Sequence, residues 1–158
     1  MNFINQSSVD LKCQTPNSII LPGASITPIT TTATIASIII NTSNCNPCIK
    51  LEFTSNIIVP ITTESATLTF QIFKICKNQL EPIPVGSQWT FTRLVSLGSS
   101  DTFTFFVCDC DECSSDCCTY IVQVTATILA VGEVEIPTTS TVSINAASLS
   151  ALVIGGTN

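Results

Sequence analysis

Apolar and polar residues alternate along several stretches of the chain. From Thr67 to Ile72 and from Thr102 to Phe105, every second residue is apolar, and the even-numbered residues from Tyr120 to Ile128 are all apolar. A period of two is typical of strands that bury one face. The alternation predicts strands near residues 17–21, 26–40, 49–59, 66–76, 88–95, 101–108, 118–130 and 133–144.

Turn-forming residues separate these stretches, as at Pro22-Gly23, Gly98 and Gly132, and Pro28 should break the second one. About eight strands without a helical period predict an all-β fold, a single-domain jelly roll or β-sandwich. We assign residues 16–145 to this domain and residues 1–15 to an extended N-terminal arm. Residues 146–158 form a C-terminal strand or tail, in which one helical turn is an alternative for residues 146–152.

The composition favours strands and hints at assembly. Thr, Ile and Val make up 55 of the 158 residues, and β-branched side chains prefer strands. Only 10% of the residues are charged, against about 25% in ordinary globular domains. A weakly charged exterior suggests that neighbouring molecules cover much of the surface.

Charge and missing residue types exclude several functions. The net charge is −6 and there is no histidine. We therefore expect no nucleic-acid partner, because no basic surface is available to neutralise phosphates. A nucleophile activated by histidine is impossible within the chain. No pair of carboxylates resembles an acid–base centre, so we predict that the protein is not an enzyme and uses no cofactor.

Membrane and targeting signals are also missing from the sequence. The longest apolar runs, such as residues 38–40, fall far short of the ~20 residues that span a bilayer, so we expect no membrane insertion. The first eight residues lack a basic segment followed by an apolar one, and we expect no secretory signal peptide.

The cysteines carry the most information, and their number is odd, which suggests a bond between chains. They are Cys13, Cys45, Cys48, Cys76, Cys108, Cys110, Cys113, Cys117 and Cys118. Cys13 stands alone in the arm, whose twelve preceding residues could reach about 40 Å when extended. It is our candidate for an intersubunit disulfide, with a free terminal thiol or a bond within its own chain as the alternatives.

Strand alternation predicts which way the side chains of four other cysteines point. If residues 101–110 stay extended, Phe105 and Val107 face the core while Cys108 and Cys110 point outward. Outward cysteines suit cross-links to another chain or to an adjacent loop. The neighbours Cys117 and Cys118 should point to opposite faces and have different partners. The further disulfide candidates are Cys45, Cys48, Cys76, Cys113, Cys117 and Cys118.

Metal sites are weaker hypotheses. Cys45, Cys48, Cys110 and Cys113 form two CxxC pairs that could hold zinc, but 61 residues separate the pairs, against about 15–20 in common zinc sites. The acidic loop at residues 109–116 carries four carboxylates, which could bind Ca²⁺, although a solvated loop held by cysteines is the simpler interpretation.

Four segments carry a resemblance to a known family. Residues 45–56, which begin Cys45-Asn46-Pro47-Cys48, resemble the signature of a cysteine-rich family of unknown function from spore-forming clostridia. Residues 70–76, 82–93 and 105–120 are similar to further segments of that family. The resemblance covers roughly residues 45–126, and it implies no function by itself.

A second resemblance concerns architecture alone, and it implies a function. The layout is similar to that of endospore appendage (Ena) subunits of bacilli, which are small jelly-roll proteins with a cysteine on an N-terminal arm. It implies that neighbouring sheets associate edge to edge into a fibre and that Cys13 bonds to earlier subunits. The alternation makes Cys108 and Cys110 our preferred acceptors, while Cys45, Cys48, Cys117 and Cys118 stay open.

Together these observations predict a structural subunit of a disulfide-cross-linked extracellular fibre, pilus-like and located on the spore surface. Its partner is itself, in a head-to-tail homopolymer, with other spore-surface proteins as further partners. The subunit would be made in, or released from, the mother cell, which reconciles disulfides with a reducing cytosol. A non-fibrous coat, exosporium or adhesive binding module is the alternative, and a zinc-binding protein is the second alternative.

Overall fold

The computed structural model describes residues 9–24, 27–41, 47–77, 79–94, 98–110, 117–132 and 139–154. Nine β-strands account for most of them, which confirms the predicted all-β class. The strands are β1 (Val9–Cys13), β2 (Asn17–Ala24), β3 (Ile29–Asn41), β4 (Cys48–Val59), β5 (Thr63–Cys76), β6 (Ile83–Leu94), β7 (Ser99–Asp109), β8 (Cys117–Ala130) and β9 (Thr139–Ile154).

The strands form two halves that pack face to face. One half has the order β2-β9-β4-β7, with β1 beside β9, and the other has the order β3-β8-β5-β6. Neighbouring strands within each half are antiparallel, and a single parallel pairing of Ala24 with Leu129 joins the halves. This order is consistent with a jelly roll, one of the two all-β architectures that the strand pattern predicted.

The core consists of the inward residues of both halves. Phe53 on β4 and Phe70 on β5 are fully buried, and their ring centroids lie 5.6 Å apart across the two halves. The apolar face predicted for residues 120–128 is buried throughout, from Tyr120 to Ile128. Burial of this kind contributes about 25 cal/mol per Å² of apolar surface, so the alternation largely dictates which face turns inward.

The C-terminal segment is a strand rather than a helical turn. Residues 146–154 continue β9 and bury Ala147, Leu149 and Ala151 at every second position. A bulge at Ala146, with φ at 51°, shifts the register between β9 and its neighbours. Because a bulge inserts one extra residue, it breaks the period of two at the point where the sequence was ambiguous.

Part of the predicted arm is also a strand. Residues 9–13 form β1, which pairs with the last residues of β9 so that Cys13 lies opposite Ser150. The side chains of Val9 and Leu11 are 62% and 66% exposed. Backbone pairing therefore holds β1 to the domain, and its side chains add little to the core.

Candidate assembly site at the cysteine-rich end

One end of the sandwich collects most of the cysteines that the structure describes. At this end β5 and β7 finish and β4 and β8 begin, because antiparallel neighbours bring the start of one strand beside the finish of the next. We call it the cysteine-rich end. Its described cysteines are Cys48, Cys76, Cys108, Cys110, Cys117 and Cys118.

A buried disulfide joins β5 to β8. Cys76 and Cys118 lie directly opposite each other in the register, with Cα atoms 4.0 Å apart, and both are buried. The bond closes a separation of 42 residues. In the chain-entropy model such a cross-link stabilises the fold by about 4 kcal/mol.

A second disulfide joins β4 to the end of β7. Cys48 opens β4, Cys110 follows the last residue of β7, and their Cα atoms lie 4.2 Å apart. Cys110 is exposed, as the alternation predicted, but its sulfur is bonded within its own chain. Between the two preferred acceptors for Cys13, Cys108 is therefore the one that carries a thiol.

Three described cysteines carry free, exposed thiols: Cys13, Cys108 and Cys117. Cys108 points outward from β7, while Phe105 and Val107 on the same strand are buried. Cys117 is exposed next to the buried Cys118, so the predicted difference between these neighbours holds.

The surroundings of Cys108 combine charge and an aromatic ring. Lys50 lies opposite Cys108 in the register of β4 and β7. Its ammonium is 5.0 Å from the centroid of the exposed Phe106 ring and 3.3 Å from Glu52 Oε2. The free thiol thus lies on an outer face whose apolar part, Phe106, is open to a second molecule.

A buried polar cluster lies beneath this outer face. Lys74 Nζ is 2.9 Å from Asp109 Oδ2, and the Tyr120 hydroxyl donates a 2.6 Å hydrogen bond to the same oxygen. All three residues are less than 9% exposed. The cluster connects the two halves, because Lys74 and Tyr120 belong to β5 and β8 and Asp109 belongs to β7.

This cluster was not predicted, although the sequence carries a signal for it. Lys74 occupies an inward position of β5, after Ile72 and before Cys76, and Asp109 continues the inward series of Phe105 and Val107. A charged residue in phase with buried apolar ones indicates a buried partner of opposite charge.

An open cavity of about 590 Å³ lies at the same end. Lys74 and Asp109 line it together with Cys108, Gln79 and Ile83. Gly86 on β6 lies at its wall with φ at 69°, and a Cβ atom there would meet Val107 Cγ1 at 2.5 Å. Only glycine allows β6 to approach β7 this closely in this conformation.

The predicted metal sites are only partly described. Cys48 and Cys110, one from each CxxC pair, do come together, but as a disulfide that leaves neither sulfur as a thiolate ligand. Cys45, Cys113 and residues 111–116 of the acidic loop lie outside the described residues. Within the described ranges, no three side chains of the metal-binding types cluster together. Nor do those ranges contain a helix long and apolar enough to cross a membrane.

Comparison with known proteins identifies a family and a fold. The sequence model of a family described as "Domain of unknown function (DUF4489)" matches residues 7–154. A search of curated proteins found no match.

Solved structures that match this chain include one of a virus and one of carbohydrate-binding modules. The structure of infectious bursal disease virus Gx strain has a TM-score of 0.56 at 13% identity, with 94% of this chain and 33% of that chain covered. Carbohydrate-binding modules from the β-sandwich superfamily have a TM-score of 0.40 at 12% identity, with 88% and 55% covered. This chain thus spans about a third of the length of the viral protein. At 13% identity the likeness to the viral structure concerns the fold alone.

Proposed function

We propose that this chain, which belongs to the family described as a domain of unknown function (DUF4489), is a structural subunit of an extracellular fibre. The subunits would assemble head to tail and be cross-linked by disulfides. The description of the family assigns no activity. The proposal therefore rests on the cysteines and on the strand edges.

The observation that carries the proposal is the set of exposed thiols that lie outside the disulfides of the described residues. Cys13 is the donor in our proposal, because its thiol is free and exposed. It lies on β1, which backbone pairing with β9 holds to the domain. Cys108 is the acceptor, because it is exposed on the outer face of β7. Cys13 shares the outer face of Cys108, because it lies in one row with Ser150, Glu52 and Phe106 across the strands β1, β9, β4 and β7. A bond between Cys13 of one subunit and Cys108 of the next joins two different positions, and such head-to-tail contacts produce open filaments when they do not close into a ring.

Open strand edges support the same proposal. Within the described residues, β3 pairs only with β8, β6 only with β5, and β7 only with β4. An edge strand presents unpaired backbone groups, and soluble proteins commonly protect such edges with charged residues. β3 carries no charged residue from Ile29 to Asn41. In our proposal this edge adds a strand of the next subunit.

The spore surface is the proposed location. Disulfides persist in oxidising surroundings, and both internal disulfides are compatible with an extracellular protein. The resemblance to endospore appendage subunits supplies the finer proposal of a pilus-like spore fibre, with the chain itself as the main partner and other spore-surface proteins as further ones.

Electron microscopy of the purified chain tests the fibre. We expect regular filaments that survive denaturant and fragment when a strong reductant is added with mild heat. Discrete particles of a single size under every condition would contradict the proposal.

Single-cysteine variants test the cross-link. We expect Cys13→Ser and Cys108→Ser each to remove the covalent ladder that non-reducing denaturing gels show for the wild-type chain. Cys117→Ser is the matched control, because Cys117 is an equally exposed thiol to which we assign no cross-link. A ladder that persists in Cys13→Ser would rule out the arm as the donor.

A non-fibrous coat or adhesive binding module is the second candidate function, and the cavity at the cysteine-rich end favours it. The cavity combines the charged groups of Lys74 and Asp109 with apolar wall residues, as small-ligand sites do. Calorimetric titration with Ca²⁺ and with oligosaccharides should give heat of binding if this candidate is right.

A further inference from the structure

The buried pair of Lys74 and Asp109 is unusual for this chain. The protein has only five lysine and arginine residues, yet one lysine side chain is 10% exposed and contacts an aspartate side chain that is 5% exposed. Taking two opposite charges out of water often costs more free energy than their attraction returns. A neutral product formed from the pair would remove that cost.

The geometry of the pair is that of two reactants held together. Lys74 Nζ lies 2.9 Å from Asp109 Oδ2. The carboxyl carbon is bonded to that oxygen, so a small rotation of either side chain brings Nζ to the ~3–3.5 Å from this carbon at which reacting atoms stand in a near-attack conformer. Strands of two different halves hold the two groups, so the fold itself fixes their approach.

We propose that Lys74 and Asp109 form an intramolecular isopeptide bond, which joins β5 to β7 covalently across the sandwich. The proposed fibre does not use this pair, and the bond would remove the two charges from the wall of the cavity. The bond would add to the Cys48–Cys110 and Cys76–Cys118 disulfides, and unlike them it would resist reduction.

The reaction balances without an oxidant or a co-reactant. A proton moves from the Lys74 ammonium to Asp109 Oδ2, which leaves an amine and a carboxylic acid. The nitrogen lone pair attacks the Asp109 carboxyl carbon and forms the C–N bond. The C–O bond to Oδ2 breaks, and Oδ2 leaves as one water molecule with the proton that it received and a second proton from the nitrogen. The ammonium and the carboxylate thus become one amide and one water.

Tyr120 is the catalytic residue of this proposal. Its hydroxyl donates a hydrogen bond to Oδ2, which is the oxygen that leaves. A donor at the leaving oxygen assists departure as water and stabilises charge that develops there. Lys74 and Asp109 line the open cavity, so the released water has a route to solvent.

Intact-mass spectrometry of the full chain tests the proposal. The chain is purified, then denatured and fully reduced, so that disulfides do not contribute to the mass difference. We expect a mass lower than that of the sequence by one water molecule. We also expect a tryptic product that joins the peptide containing Lys74 to the peptide containing Asp109, without cleavage after Lys74.

Two conservative variants locate the bond and its catalyst. Lys74→Arg keeps a cation but cannot form this amide, and we expect it to keep its full mass. Tyr120→Phe keeps the ring in the core, and we expect it to lose water at least tenfold more slowly than the wild-type chain during a refolding time course. Circular dichroism confirms in each case that the variant is folded.

Three results would overturn the inference. A folded wild-type chain that keeps its full mass after long incubation holds an ion pair and no bond. Loss of water that persists in Lys74→Arg places the bond elsewhere. Equal rates of water loss in Tyr120→Phe and in the wild-type chain would show that Tyr120 does not catalyse the reaction. None of these results depends on whether the chain forms fibres.

Discussion

At the scale of single residues, strand alternation separates neighbouring cysteines into different chemistries. Cys117 is an exposed thiol, whereas Cys118 is buried and bonded to Cys76. Successive side chains of a strand point to opposite faces, so one position decides between a surface group and a core cross-link. Because Cys117 and Cys118 have the same side chain, substituting each of them by serine gives a matched pair of variants.

We expect Cys118→Ser to lower the free energy of unfolding by about 4 kcal/mol, because it removes the constraint that the Cys76–Cys118 bond places on the unfolded chain. Cys117→Ser should change it by less than about 0.5 kcal/mol, as surface substitutions usually do. Denaturant titration under non-reducing conditions measures both values. Equal losses in the two variants would contradict the assignment of the disulfide.

At the scale of elements, β6 and β7 meet through side chains rather than through a strand ladder. Arg93 on β6 holds Asp101 on β7 with two contacts, at 2.6 and 3.3 Å. Trp89 on β6 stacks on Phe105 of β7, with ring centroids 5.6 Å apart. Side-chain contacts between edges can be broken one at a time, whereas a ladder of backbone hydrogen bonds cannot.

The ion pair predicts a pH dependence. The hydrogen bonds from the Arg93 guanidinium hold the pKa of Asp101 below its ordinary value of 3.8. A carboxyl whose pKa is lower in the folded state stabilises the fold above the pKa of the unfolded state. That stabilisation is lost as the pH falls through the lower, folded value.

We therefore expect Asp101→Asn to lower the melting temperature slightly at pH 7 and to make no difference at a pH below the folded pKa. Melting curves between pH 7 and pH 2 measure the difference from the wild-type chain. Glu81→Gln, at an exposed carboxylate, is the control and should show no such trend. If the difference in melting temperature between Asp101→Asn and the wild-type chain grew towards low pH, the predicted direction of the pH dependence would be wrong.

At the scale of the whole molecule, the first strand contributes no residue to the described hydrophobic core. The core is formed by β2 to β9, and the side chains of Val9 and Leu11 on β1 stay mostly exposed. A segment held by its backbone can leave at little cost, which is what an arm shared between subunits requires.

We expect a chain without residues 1–13 to unfold cooperatively, with a loss of about 1 kcal/mol or roughly 2–4 °C in melting temperature. The same truncation should abolish covalent ladders, because it removes Cys13. Calorimetry and non-reducing gels give the two readouts. A truncated chain that fails to fold would place β1 in the core and would weaken the proposed role of the arm.

The sequence by itself determined the strands from β2 to β8, their inward faces and the outward direction of Cys108 and Cys110, because a period of two is a local property that burial enforces along each strand. It left β1 in an arm and the second half of β9 undecided. It did not determine that Cys48 bonds to Cys110, that β1 lies on β9, or that Lys74 meets Asp109. Those pairs are separated by 62, about 140 and 35 residues, respectively. Only the order and register of distant strands bring them together, and local alternation carries no information about which strand becomes the neighbour of another.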